Sequence, residues 1–125
     1  MVTAQDFYVS DSNGSDNNPG TIDSPFKTIN KGISMVSAGG TVYVMEGIYQ
    51  NTNYGTVDSS TNTNMDNPHV VTINKSGAEG AYITLRNYPG HTPKIQFDGR
   101  GGIVISNDMN YIIVEGFEVE GPAQD

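Results

Sequence analysis

The chain has 125 residues, a formal net charge of −8 and an apolar share of 35%. That length supports one domain with a narrow, regular core, while the acidic balance excludes a general nucleic-acid binder, since phosphate recognition needs a basic surface. Cysteine is absent, which excludes a disulfide framework and a thiolate metal site. The apolar stretches are only a few residues long, too short for a membrane-spanning helix, and Met1 to Gln5 lacks the charged and apolar regions of a signal peptide. Gly, Asn, Thr, Ser, Val, Ile and Tyr prevail, the composition of strands joined by tight turns.

Phe7 to Ser10 reads as a short strand, and Asp11 to Ser24 as a polar loop with several carboxylates. Ser24 then serves as a helix N-cap with Pro25 at the first helical position. Phe26, Ile29, Ile33 and Val36 recur at helical spacing and place one apolar stripe on a helix over 25–36, which Ala38-Gly39-Gly40 ends. Thr41 to Met45 is a clear strand, followed by Ile48-Tyr49. From Gln50 to Pro68 the chain is polar and aperiodic, a long loop of the kind that carries function or stays mobile. The organisation is thus 6–49 for strand, capping helix and first coil strands, 50–68 for the loop, and 69–125 for the repeats.

The repeats are the central feature. Val70 to Asn74, Tyr82 to Asn87 and Lys94 to Phe97 read as three strands separated by turns, and the order then recurs in Gly102 to Ser106, Tyr111 to Gly116 and Phe117 to Val119. Val71 and Ile73 correspond to Ile103 and Ile105 at an offset of 32, and Ile83 and Leu85 to Ile112 and Val114 at an offset of 29. The difference lies wholly in the intervening turn, as a solenoid predicts. Three short strands and three turns per repeat make a coil of a β-helix, so the expected fold is all-β: a right-handed parallel β-helix, represented by its N-terminal cap with one short amphipathic helix and its first coils. Alternate apolar residues of each strand point inward and stack on their counterparts in the next coil.

Phe7-Tyr8-Val9-Ser10 with Asn13-Gly14-Ser15-Asp16, Asn18-Pro19-Gly20-Thr21 and Ser24-Pro25-Phe26-Lys27-Thr28-Ile29, then Gly40 to Val44 and Gly47-Ile48-Tyr49, resembles the amino-terminal region of bacterial right-handed parallel β-helix proteins, among them polysaccharide lyases of the pectate, alginate and chondroitin type. Ile83 to Gly90 and Tyr111 to Phe117 look like coil sequences of the same group. The resemblance implies a secreted or cell-surface protein acting on polysaccharide, with a lyase reaction. In that chemistry a base removes the proton beside a uronate carboxylate and a cation stabilises the charge that results. The residues that do this in the group, Lys or Arg often with Ca²⁺ held by several Asp, lie on later coils, and none is matched here. The chain alone is therefore expected to be catalytically silent. A non-catalytic carbohydrate-binding or adhesive module, and a structural β-helix of a phage or surface fibre, share the same start.

Local candidates remain. Arg86, His91, Lys94 and Arg100 gather around one coil, as a basic groove for an acidic sugar chain or as solvated turn and edge residues. Asp11, Asn13 and Asp16, with Asp23, offer the hard oxygen ligands that Ca²⁺ prefers, although the same residues also make turns. Asn74, Asn87 and Asn107 stand at corners, where Asn tolerates a left-handed backbone. Tyr49, Tyr54, Tyr82, Tyr88 and Tyr111 are strand residues or stacking platforms for sugar rings. The open end of the stack is expected to promote self-association, with no nucleic acid and no membrane as partner.

Overall fold

The computed structural model describes residues 4–51, 54–55, 69–98 and 101–121. Most of the 50–68 loop and the candidate Arg100 lie outside them. The elements run β1 (Phe7–Val9), α1 (Ile29–Met35), β2 (Thr41–Val44), β3 (Ile48–Gln50), β4 (His69–Ile73), β5 (Ile83–Asn87), β6 (Lys94–Gln96), β7 (Gly101–Ile105), β8 (Ile112–Glu115) and β9 (Glu118–Glu120). They assemble into three sheets, β1-β2-β5-β8, β3-β6-β9 and β4-β7. Every pairing between these strands is parallel. One strand from each sheet makes one coil, so β4-β5-β6 and β7-β8-β9 are successive coils of a parallel β-helix.

The repeat read from the sequence is the repeat of the structure. Val71 pairs with Ile103 and Ile73 with Ile105, while Ile83 pairs with Ile112 and Leu85 with Val114. Alternation puts these side chains inside, because successive strand residues face opposite sides of a sheet. The first sheet carries an inward column of Phe7, Val42, Leu85 and Val114. Burial follows the stack: Ile73 is wholly buried, whereas Ile105, one coil further along the same column, is 45% exposed.

The opposite end is closed by the helix. Phe26, Ile29, Ile33 and Val36 are all buried, as the apolar stripe predicts. Gly32 lets the helix approach β2, since a Cβ there would lie 2.8 Å from Cγ1 of Val42. The helix starts later than Ser24 and Pro25 suggest: the N-cap is Thr28, whose side chain accepts from the Lys31 N–H. The preceding segment stays extended because Phe26 forms a parallel bridge to Val9 and stacks its ring on Phe7 at 5.7 Å. Tertiary pairing overrides a good local start signal here.

α1 precedes β2 and β3 as β4 precedes β5 and β6, so it occupies the place of a third-sheet strand in the first coil. Asn30 makes the substitution work at the backbone level. Its side-chain amide donates to the Val70 carbonyl at 3.2 Å and accepts from the Thr72 N–H at 2.9 Å. Lys75 secures the other end of the helix by donating to the Ser34 and Val36 carbonyls.

The corners differ in one respect from expectation. Among the described residues the non-glycine left-handed positions are Asp108 and Tyr111, not Asn74, Asn87 or Asn107. Asn87 works through its side chain instead, donating to the His91 carbonyl at 3.0 Å across the turn. Its amide fills the space beneath Gly116, where a Cβ would collide with it and where φ is +84°.

Candidate functional site

Of the basic candidates, Arg86, His91 and Lys94 fall within the described residues, and they stand on different segments. Arg86 projects from β5, Lys94 projects from β6, and His91 lies in the turn between them. Each cation already faces a carboxylate of the next coil: Arg86 lies 3.3 Å from Glu115 and Lys94 lies 3.3 Å from Glu120. Glu120 also accepts from the Gln96 amide at 2.6 Å. That hydrogen bond first, and Lys94 second, hold its carboxyl below the usual carboxylate range. His91 accepts the Glu46 N–H at Nδ1, 2.8 Å away, which puts the proton of the neutral ring on Nε2. Exposed pairs of this kind add little stability, but they do neutralise the positive charge an acidic glycan would seek.

The cap-loop carboxylates are likewise engaged. Asp16 accepts from the Lys27 and Thr28 N–H groups, both at 2.9 Å, and from the Thr28 hydroxyl at 2.8 Å. It thereby positions the N-cap residue itself. Asp11 receives the Lys27 ammonium on its carbonyl at 2.8 Å and, more loosely, on its carboxylate at 3.9 Å. Asn13 uses its N–H on the Ser10 hydroxyl. Calcium needs six to eight oxygens free to turn toward one point, and this arrangement does not fit that demand. Among the described residues there is no cluster of three acidic, His or Cys side chains suited to a metal.

The aromatic candidates divide. Tyr49 is interior: its hydroxyl donates to the Met45 carbonyl at 2.9 Å and accepts the Asp11 N–H at 3.1 Å, and burial pushes its phenol up to about 12. Tyr82 and Tyr111 meet edge to face at 5.6 Å. Tyr88 contacts Tyr8 and Tyr43, which stack on each other at 5.3 Å across β1 and β2. The register continues this outward column through Arg86 to Glu115.

A cleft of about 380 Å³ opens at the cap end. Its walls come from four separate segments: Asp11 and Lys27 of the cap loop, the start of the helix from Thr28 to Asn30, β3 with Asn51, and His69 and Val70 of β4. Most of its polar side chains are held by the fold. Asn30 is fixed on β4, Gln50 donates to Gln96 at 2.6 Å, and Asn51 donates to the buried carboxylate of Asp98 at 2.8 Å. His69 differs, because its buried Nδ1 has no hydrogen-bond partner among the described residues. Lys27, Ile48, Gln50 and His69 carry no common motif, so sequence pattern alone did not mark this cleft.

Comparison with known proteins adds the following. The family of Pel9A-like, right-handed β-helix regions matches residues 7–125. A pectate lyase of Emericella nidulans, PEL9, is 34% identical over 91 residues, which cover 73% of this chain and 18% of that protein. The uncharacterised protein YwoF of Bacillus subtilis is 36% identical over 81 residues, covering 65% of this chain and 13% of that one. The chain thus spans less than a fifth of the length of these curated relatives. Among solved structures, a rhamnogalacturonan lyase superposes with a TM-score of 0.67 at 28% identity, covering 92% of this chain and 28% of that one.

Proposed function

Because the chain belongs to the Pel9A-like right-handed β-helix family, we propose that it forms the capped start of a polysaccharide-acting β-helix protein, a lyase of acidic polysaccharide whose chemistry resides on further coils. The observation that carries this reading is the uninterrupted parallel stack, closed by α1 at one end and matched to the family over nearly its whole length. Relatives named as a pectate lyase and a rhamnogalacturonan lyase support the substrate class. Elimination beside a uronate carboxylate needs a base within hydrogen-bond reach of the reacting proton and a cation on the developing charge. The two cations on the coil strands β5 and β6, Arg86 and Lys94, are instead paired with carboxylates. Calcium, where this chemistry uses it, is assigned to those further coils too. Secretion follows from a polymeric substrate, and no helix among the described residues is long and apolar enough to cross a membrane.

The test is a screen of this chain and a longer version against pectate, alginate and glycosaminoglycans, following the absorbance of the unsaturated product with and without Ca²⁺. Activity confined to the longer protein is expected. Activity of the short chain would overturn the placement of the chemistry, and inactivity of both on every uronate polymer would overturn the lyase reading in favour of a binding or structural module.

A further inference from the structure

We propose that Tyr8 and Tyr43 are a site of oxidative cross-linking, at which a peroxidase supplied with hydrogen peroxide joins the two phenols as one dityrosine between β1 and β2. This goes beyond the reading above and is independent of it, since no polysaccharide takes part.

Register carries the first step. Tyr8 and Tyr43 are direct partners in the parallel pairing of β1 with β2, and adjacent strands lie about 4.8 Å apart. Their neighbours Phe7, Val9, Val42 and Val44 are buried, so alternation turns both tyrosines outward. There the rings stack with centroids 5.3 Å apart and planes 17° from parallel, and each is only half-buried. Tyr49 is the contrasting case, since its hydroxyl is engaged by Met45 and Asp11 in the interior.

The second step is the chemistry. Burial first, then the Asp6 carboxylate and the phenols of Tyr43 and Tyr88, raise the Tyr8 phenol above its ordinary value. It is therefore protonated at neutral pH and loses a proton together with its electron. Each phenol gives up one hydrogen atom from its oxygen, and the two electrons and two protons reduce one hydrogen peroxide to two waters. The unpaired electrons spread onto the ring carbons beside the oxygens, where the two radicals form one C–C bond. The hydrogens on those carbons then move to the oxygens and restore both phenols.

The third step is selection. Coupling needs two rings held together for the life of a radical, and fixed proximity replaces a chance encounter with an intramolecular one. Half-exposed, near-parallel rings have room to tilt until the carbons beside the two hydroxyls meet. Tyr82 and Tyr111 are more exposed, at 45% and 41%, but they cross at 87°, and the Tyr111 backbone is left-handed with φ +61°. Tyr88 meets Tyr8 and Tyr43 at 60° and 77°. Exposure and geometry thus lead to different products: links between chains through Tyr54, Tyr82 and Tyr111, or one link within the chain at Tyr8 and Tyr43. That link closes a loop containing α1 and restricts the unfolded chain.

The experiment treats the dilute chain with a heme peroxidase and hydrogen peroxide, isolates the monomer on a denaturing gel, and maps its dityrosine by tryptic digestion and tandem mass spectrometry. The expected product is a cross-linked monomer in which the peptide holding Tyr8 is joined to the peptide holding Tyr43 at those two rings. Dityrosine fluorescence of the monomer should fall several-fold in Tyr8→Phe and in Tyr43→Phe, and persist in Tyr111→Phe. Circular-dichroism melts confirm that each variant is folded, and the wild-type map stands without them. Dityrosine found only between chains, a main intramolecular link at any other pair, or undiminished monomer fluorescence in a folded Tyr8→Phe would each overturn the proposal. So would the absence of dityrosine while the same peroxidase couples free tyrosine in a parallel reaction.

Discussion

The side-chain amide of Asn30 hydrogen-bonds to the Val70 carbonyl and the Thr72 N–H of β4, 3.2 Å and 2.9 Å away, as the backbone of one residue in a neighbouring parallel strand would. One side chain thus terminates a sheet edge that would otherwise recruit another chain. Asn30→Leu keeps the volume and removes both bonds, leaving a strand N–H and C=O without these partners. We expect a loss of about 1–3 kcal/mol in denaturant melts, with Asn30→Asp recovering the Thr72 bond alone. A stability unchanged in Asn30→Leu would show that water satisfies this edge equally well.

The contrast between what was legible in the sequence and what was not has a physical basis. Val71, Ile73, Ile83 and Leu85 and their partners one coil later could be paired from the sequence because strand alternation is strict and the length change is confined to a turn. The helix N-cap at Thr28 was hidden because Ser24 and Pro25 are good local signals, and it is partners distant in sequence, Phe7, Val9 and the Tyr8 and Ser10 backbone, that hold Phe26 out of the helix. The cleft was invisible for the same reason. Lys27, Ile48 and His69 are brought together by coil stacking, not by spacing. Tyr8 and Tyr43 are legible by alternation, since their place between buried neighbours in β1 and β2 marks them as outward residues.

Asp16 offers a clean separation of calcium from capping. Its carboxylate accepts three hydrogen bonds from Lys27 and Thr28, so Asp16→Ala should cost about 1–2 kcal/mol, the scale of losing a cap. Thermal melts of wild type with Ca²⁺ and with chelator should coincide. A melting temperature that rises with Ca²⁺ in wild type and not in the variant would restore a metal role to this loop.

Tyr49 makes stability sensitive to alkali. The folded protein holds its phenol proton more tightly than the unfolded chain, because burial raises the phenol to about 12 from an ordinary value near 10. The contribution is therefore complete below about 10 and falls as pH rises through the folded value. Tyr49→Phe removes the titration and also the bonds to Met45 and Asp11. It should be less stable at neutral pH by about 1–3 kcal/mol, with the gap to wild type closing above pH ~10. A gap constant with pH would mean that Tyr49 does not titrate with unfolding.

The coil of β7, β8 and β9 presents a further edge among the described residues. Among the described residues no strand pairs with the outer sides of β7, β8 and β9, and Ile105, Ile113 and Val119 are exposed. Unpaired strands with apolar side chains recruit one another. Sedimentation velocity should show association that grows with concentration, and Ile113→Lys should reduce it, since charge on an edge strand opposes pairing. A monodisperse wild-type monomer across the concentration range would contradict this.

Arg86 and Lys94 test whether the outer faces meet an acidic glycan. Each lies 3.3 Å from the carboxylate of Glu115 or Glu120, so an incoming uronate must compete with a carboxylate already in place. Mobile, solvated pairs separate at small cost, about 0–1 kcal/mol, which allows competition but limits the gain. If these cations bind uronate chains, Glu115→Gln with Glu120→Gln should strengthen oligogalacturonate binding in calorimetry, and Arg86→Gln with Lys94→Gln should weaken it. Both effects should shrink as salt is added, because the groups are exposed and screened. Opposite changes in the two double variants are the signature of direct contact. A uniform lack of change would leave both pairs as links between adjacent coils, with the glycan bound elsewhere.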